Sequence, residues 1–214
     1  MNKASPHPAG ALFADTTVIP VIRIESAERA PDLARTLVDA GLELLEITLR
    51  TPAAFDAIER IAGEVPAAVV GAGTVLSSRD LERAAAAGAR FAIAPGCTDA
   101  LYRASADAPL PLIPGVATAS EIMLGLEHGH THFKFFPAQA AGGTAILRAW
   151  AGPLPQVSFV PTGGITPDNA SEYLALPNVI AVGGSWMVPE GAIAAGDWSR
   201  IGRLARACSH LQEG

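Results

Sequence analysis

The sequence predicts a single-domain α/β protein folded as a (β/α)8 TIM barrel. Short apolar runs of β-forming residues alternate with Ala- and Leu-rich helical segments, and there are eight such runs. Strands that alternate with helices pair in parallel. At 214 residues the chain also has the size of one barrel domain, commonly about 200 to 250 residues. A doubly wound open sheet is the alternative, but no G-x-G-x-x-G follows the first strand.

The elements follow in order. Residues 1–16 read as a partly mobile leader, and residues 17–214 as the barrel domain. The first strand is "TVIPVIRI" and the second "LELLEITL", after which Thr51-Pro52 places an N-cap before a first-turn proline. "AAVVGAG" is the third, followed by Ser77-x-x-Asp80, which has the form of a capping box. "RFAIAPG" and "PLIPG" are the fourth and fifth; Thr118-x-x-Glu121 then opens a helix. "HFKFFP", "VSFVPTGG" and "VIAVGG" complete the set, with Thr166-Pro167 marking a helix start between the last two.

Composition narrows the function. Hydrophobic residues make up 50% and charged residues 17%, which suits a packed protein and excludes a disordered one. A net charge of −6 gives no basic footprint for nucleic acid. Two uncharged stretches, 149–167 and 173–189, have the length of membrane spans, but prolines and glycines interrupt them, so no membrane partner is expected. The N-terminus has no apolar run long enough for a secretory signal, and Cys97 and Cys208 form no C-x-x-C pair. A cytoplasmic protein with free thiols is the expectation.

The stretch "HTHFKFFPAQ" carries the chemical question. Lys134 stands among Phe133, Phe135 and Phe136, although 13 of the 15 basic residues are arginine. Arginine keeps its proton, whereas a desolvated lysine can surrender it and become a nucleophile. Strand alternation places Lys134 and Phe136 on the face opposite Phe133 and Phe135, and sets Glu46, Thr48 and Arg50 against Leu45, Ile47 and Leu49. The polar sets point into the barrel, where reactive groups gather near C-terminal strand ends. An amine, a carboxylate and an arginine suit Schiff-base chemistry on a 2-keto acid. Lys134 would attack the ketone, Glu46 move protons, and Arg50 grip the substrate carboxylate at two points. The bland readings are a lysine that snorkels to solvent and an ion pair that serves only the interior.

"PTGGIT" and "VGGSWM" follow the seventh and eighth strands, and glycines there let backbone N–H groups approach an anion closely. Gly163, Gly164, Gly183 and Gly184 with Ser185 therefore suggest a phosphorylated substrate, against tight turns and a helix cap as the alternative. "HGHTH" lacks an accompanying carboxylate and enters its strand at the non-catalytic end, so no metal is expected there. Cys97 has no histidine nearby in sequence to activate it and reads as a packing residue.

In order, "LLEITLRT", "VGAGTVL", "FAIAPG", "LIPGVAT", "FKFFPA", "VPTGGI" and "VGGSWMVP" resemble the 2-keto-3-deoxy-6-phosphogluconate (KDPG) aldolases of the Entner–Doudoroff pathway, from about Thr17 onward. The resemblance implies a class I aldolase that yields pyruvate and glyceraldehyde 3-phosphate, often also cleaves 4-hydroxy-2-oxoglutarate, works as a homotrimer and needs no metal or organic cofactor. It implies Lys134 as the Schiff-base lysine, Glu46 as acid/base, and Arg50 with Thr74 as the carboxylate grip. Pro95 and Phe136 would wall the pyruvate pocket, Thr162 meet the hydroxyl-bearing part of the substrate, and Gly163, Gly164, Gly184 and Ser185 hold phosphate. Arg23 matches an arginine found in part of the wider family and would add to substrate binding. Three rivals stand beside this reading: an aldolase for the galactonate epimer, a phosphosugar isomerase or epimerase on the same barrel, and a non-catalytic phosphosugar binder.

Overall fold

The structure, a computed structural model, describes residues 9–13, 16–209 and 211. Nine strands run through them: β1 Val18–Ile22, β2 Leu44–Thr48, β3 Val69–Gly73, β4 Ala92–Ile93, β5 Leu112–Ile113, β6 Gly115–Val116, β7 His132–Phe135, β8 Ser158–Pro161 and β9 Val182–Gly184. Nine helices separate or follow them: α1 Ala30–Val38, α2 Ala54–Glu64, α3 Ser78–Ala86, α4 Asp99–Ala106, α5 Ala119–Glu127, α6 Gly143–Ala151, α7 Pro167–Leu174, α8 Glu190–Ala195 and α9 Trp198–Ser209. The α/β class and the parallel pairing are as the alternation predicts.

The sheet departs from the expected single eight-stranded ring. It is divided into a six-stranded sheet of order β5-β4-β3-β2-β1-β9 and a three-stranded sheet of order β6-β7-β8. The break falls inside the fifth expected strand, at Pro114. Proline has no N–H to donate to a ladder. Ile113 O accepts from Ala94 N on one side at 3.1 Å, and Pro114 O accepts from Lys134 N on the other at 2.9 Å. At the far edges, isolated parallel bridges join Phe159 to Val179 and Thr162 to Gly183.

Alternation sorts the side chains into two apolar layers. Leu45 and Ile47 of β2, Val70 and Ala72 of β3, Phe133 and Phe135 of β7, and Phe159 of β8 share one cluster with Leu33, Leu37, Ile58, Leu147 and Trp150 of the helices. Phe135 meets the Trp150 ring edge-on, centroids 5.5 Å apart. Ile19, Leu44, Phe91, Ile93, Ile113, Val160 and Ala181 form a second cluster, to which both sheets contribute.

Of the expected leader, residues 1–8, 14 and 15 lie outside the described residues. Ala9–Phe13 forms a 3-10 turn, and Phe13, 5% exposed, packs into the second cluster beside Leu44, with the partly buried Val69 against it. Leu44 and Val69 begin β2 and β3, so the phenylalanine closes the N-terminal end of the interior.

The helix starts expected at Ser77 and Thr118 are observed: Ser77 Oγ accepts from Asp80 N, and Thr118 and Glu121 cap each other. Thr51-Pro52 is different. Helix α2 begins only at Ala54, because the Thr51 hydroxyl donates instead to Ile24 O, 2.5 Å away, beyond the end of β1.

Phe13→Ala should lower unfolding stability by about 3 to 5 kcal/mol in urea titrations, through the cavity it leaves. An unchanged midpoint would show that the turn is not part of the core.

Candidate active site

Lys134 sits on β7 and Glu46 on β2, so the two sheets supply one residue each. Their side chains meet inside: Lys134 Nζ is 3.1 Å from Glu46 Oε1, with Lys134 5% and Glu46 1% exposed. Glu46 owes its position to Gly73. A Cβ at residue 73 would collide with the carboxylate, so only glycine leaves room for it. Next along β2's inward face, the Thr48 hydroxyl donates to Ile22 O at 2.9 Å and ties β2 to β1 above the glutamate. Thr48 is where alternation placed it, on the inward face with Glu46, whereas Gly73 did not stand out in the sequence; its signal was a glycine at an inward position of a strand.

The other expected residues form the rim. Phe136 lies beyond the end of β7 with its ring centroid 5.3 Å from Lys134 Nζ. The ring also approaches Gly163: a Cβ there would lie 3.2 Å from it. Thr162, 6% exposed, is bridged to Gly183. Pro95 is half-buried two residues beyond the end of β4. Arg50 is exposed two residues past β2, and among the described residues its guanidinium has no hydrogen-bond or ion-pair partner. Thr74 has φ +59°, a left-handed backbone that a β-branched residue adopts only under constraint, and such strain clusters at functional sites.

Gly163 and Gly164 also take positive φ, +99° and +78°, in the turn after β8. Gly184 is buried under the Trp186 indole, and Ser185 is exposed beside it. Arg23, expected to add to substrate binding, lies just past the end of β1. It forms ion pairs with Glu25 and, at 3.0 Å, with Glu190 at the start of α8.

The remaining candidates have structural employment. His128 stacks on Tyr102 with centroids 4.8 Å apart and hydrogen-bonds Asp99 at 3.1 Å. Burial, then the neighbouring His128, hold His130 down at about 4. Among the described residues no three His, Cys, Asp or Glu side chains are grouped to hold a metal ion. Cys97 is half-buried, and burial pushes its thiol up to about 12.

The family model "Aldolase: KDPG and KHG aldolase" matches residues 11–204. The KHG/KDPG aldolase of Escherichia coli K12 is 53% identical over 189 residues, 88% of this chain and 89% of that protein. The 2-dehydro-3-deoxy-phosphogluconate aldolase of Pseudoalteromonas atlantica is 50% identical over 195 residues, 91% of each chain. A crystal structure of the KDPG aldolase from Legionella pneumophila, with pyruvate captured at low pH as a covalent carbinolamine intermediate, matches at 52% identity and TM-score 0.92, covering 94% of this chain and 98% of its own.

The raised Cys97 thiol fixes its reactivity. A group whose acid dissociation is pushed from 9.0 to about 12 holds almost no thiolate at pH 8. Alkylation of Cys97 by iodoacetamide, followed by peptide mass spectrometry, should therefore be slow at pH 8 and accelerate as pH rises toward 12. Labelling as fast as glutathione's at pH 8 would contradict the burial.

Proposed function

The chain belongs to the KDPG and KHG aldolase family, and on that footing we propose that it is a class I, Schiff-base aldolase. It is a lyase that cleaves 2-keto-3-deoxy-6-phosphogluconate to pyruvate and D-glyceraldehyde 3-phosphate, the Entner–Doudoroff aldol cleavage, and it also accepts 4-hydroxy-2-oxoglutarate. The observation that carries the reading is an amine and a carboxylate 3.1 Å apart, both buried in the interior.

Lys134 Nζ adds to the C2 ketone, and loss of water leaves an iminium. The iminium is the electron sink: removal of the C4 hydroxyl proton breaks the C3–C4 bond and sends its electron pair into an enamine. Glyceraldehyde 3-phosphate leaves, C3 takes a proton, and hydrolysis releases pyruvate and the free amine. Glu46, in hydrogen-bond contact with Nζ, relays the protons. The Arg50 guanidinium, with Thr74, holds the pyruvate carboxylate, and Phe136 and Pro95 wall the pocket. The Thr162 hydroxyl meets the substrate hydroxyls and favours the gluconate over the galactonate epimer. The turn at Gly163 and Gly164, with Gly184 and Ser185, takes the phosphate. Arg23, ion-paired to Glu25 and Glu190, adds to substrate binding.

The two sheets belong to one closed barrel spanning residues 17–214. Supporting this are the bridges between the β8 and β9 segments and an interior cluster drawn from both sheets. The protein works as a homotrimer in this reading, which sedimentation equilibrium tests: a monomer mass at micromolar concentration would refute it. Two free cysteines fit the reducing cytoplasm.

Borohydride reduction in the presence of pyruvate, read by intact and peptide mass spectrometry, should leave a stable adduct on Lys134. Lys134→Arg should show neither adduct nor turnover, and Glu46→Gln should lower kcat by about 10²- to 10⁴-fold. An adduct on another residue, or aldol cleavage by Lys134→Arg, would remove the mechanism.

A further inference from the structure

We propose that Asn169 is a positioning residue for the phosphate end of the substrate, acting through the side-chain amide that holds the glycine turn open; this rests on the phosphate role given above to Gly163 and Gly164. Asn169 lies in the first turn of α7, and its two amide atoms do different things. Oδ1 accepts from Thr166 N at 2.9 Å, which is ordinary helix capping. Nδ2 reaches back five residues and donates to Gly164 O at 3.0 Å.

That second bond decides which way a peptide faces. In a trans peptide the C=O and the following N–H point in opposite directions. With Gly164 O drawn toward α7 by Asn169, the N–H of Ile165 is turned away from α7. The preceding peptide is set in the same manner: Gly163 O accepts from Gln139 N at 3.0 Å, so the N–H of Gly164 is turned away from the loop after β7. Neither N–H has an acceptor among the described residues. The two successive donors, on Gly164 and Ile165, belong to the turn made by the positive-φ residues Gly163 and Gly164, and main-chain N–H groups left without an internal acceptor can take an anion. One of the two carbonyls behind them is held by backbone, the other by the Asn169 amide. The turn is thus preorganised for an anion by a side chain that need not touch it.

The test compares 2-keto-3-deoxy-6-phosphogluconate with 4-hydroxy-2-oxoglutarate, which has no phosphate, in the wild type, Asn169→Ala and Asn169→Asp. Aspartate keeps the oxygen that caps Thr166 N but cannot donate to Gly164 O. Both variants should raise KM for the phosphorylated substrate about tenfold, with kcat and the KM for 4-hydroxy-2-oxoglutarate within about twofold of the wild type. Equal losses on both substrates, or no loss, would overturn the proposal. An Asn169→Asp enzyme that behaves as wild type while Asn169→Ala does not would assign the effect to capping and overturn it equally. Competition by inorganic phosphate separates the two readings. If the wild type neither prefers the phosphorylated substrate nor is inhibited by phosphate, the anion site itself is wrong and the proposal falls with it; if it does and the variants match it, only the role of Asn169 fails.

Discussion

Lys134 Nζ and Glu46 Oε1 meet 3.1 Å apart across the interior, one carried by each sheet, and most of the surrounding architecture is needed to bring them there. Taking an ammonium and a carboxylate out of water costs several kcal/mol per ion even after relaxation, and a close pair only partly offsets it. Apolar residues of similar volume are often at least as stabilising in such positions. Fold stability therefore gives no reason for the pair, and its chemistry does. The choice of residue is in keeping with this: the chain supplies nearly all its positive charge as arginine, which keeps its proton, and places a lysine at this buried position.

The interior is graded along the strands. On β1 the inward face runs Ile19, Val21, Arg23; on β2 it runs Leu44, Glu46, Thr48; on β8 it ends at Thr162, one alternation beyond Val160. Polarity rises toward the C-terminal ends. Phe13 and the apolar cluster lie toward the other end. Electrostatic contacts made at the bottom of such a site are stronger than at the surface. The rim in turn carries the exposed Arg50, whose guanidinium has no hydrogen-bond or ion-pair partner among the described residues.

Period-two alternation made much of this legible. Because Phe133 and Phe135 had to pack on helices, Lys134 had to enter the interior, and the same argument brought Glu46 in beside it. What alternation could not supply was anything set by tertiary contact. Thr51 looked like a helix cap, yet a carbonyl past the end of β1 lies close enough to take its hydroxyl. The ion pairs of Arg23 were not legible either, because its two carboxylate partners come from the next loop and from a helix 167 residues away. The break at Pro114 was visible as a residue without a donor, though not as a boundary between sheets. Phe13 lay in a segment whose polar and proline-rich start suggested no core role at all.

The third strand shows why the pair can form where it does. Its inward positions are Val69, Gly71 and Gly73, so toward the interior its upper half is bare backbone. Neighbours from both sides fill the space: the Phe91 ring lies where a side chain at residue 71 would be, and the Glu46 carboxylate where one at residue 73 would be. Phe91 thereby completes the apolar floor, and Glu46 stands directly above it. Interiors at native packing density leave no spare volume, so a carboxylate can be seated beside an amine only where some other side chain is missing. The glycines of "VVGAG" provide that vacancy. They belong to the chemistry of the site as much as the lysine does, although they contribute no functional group to it.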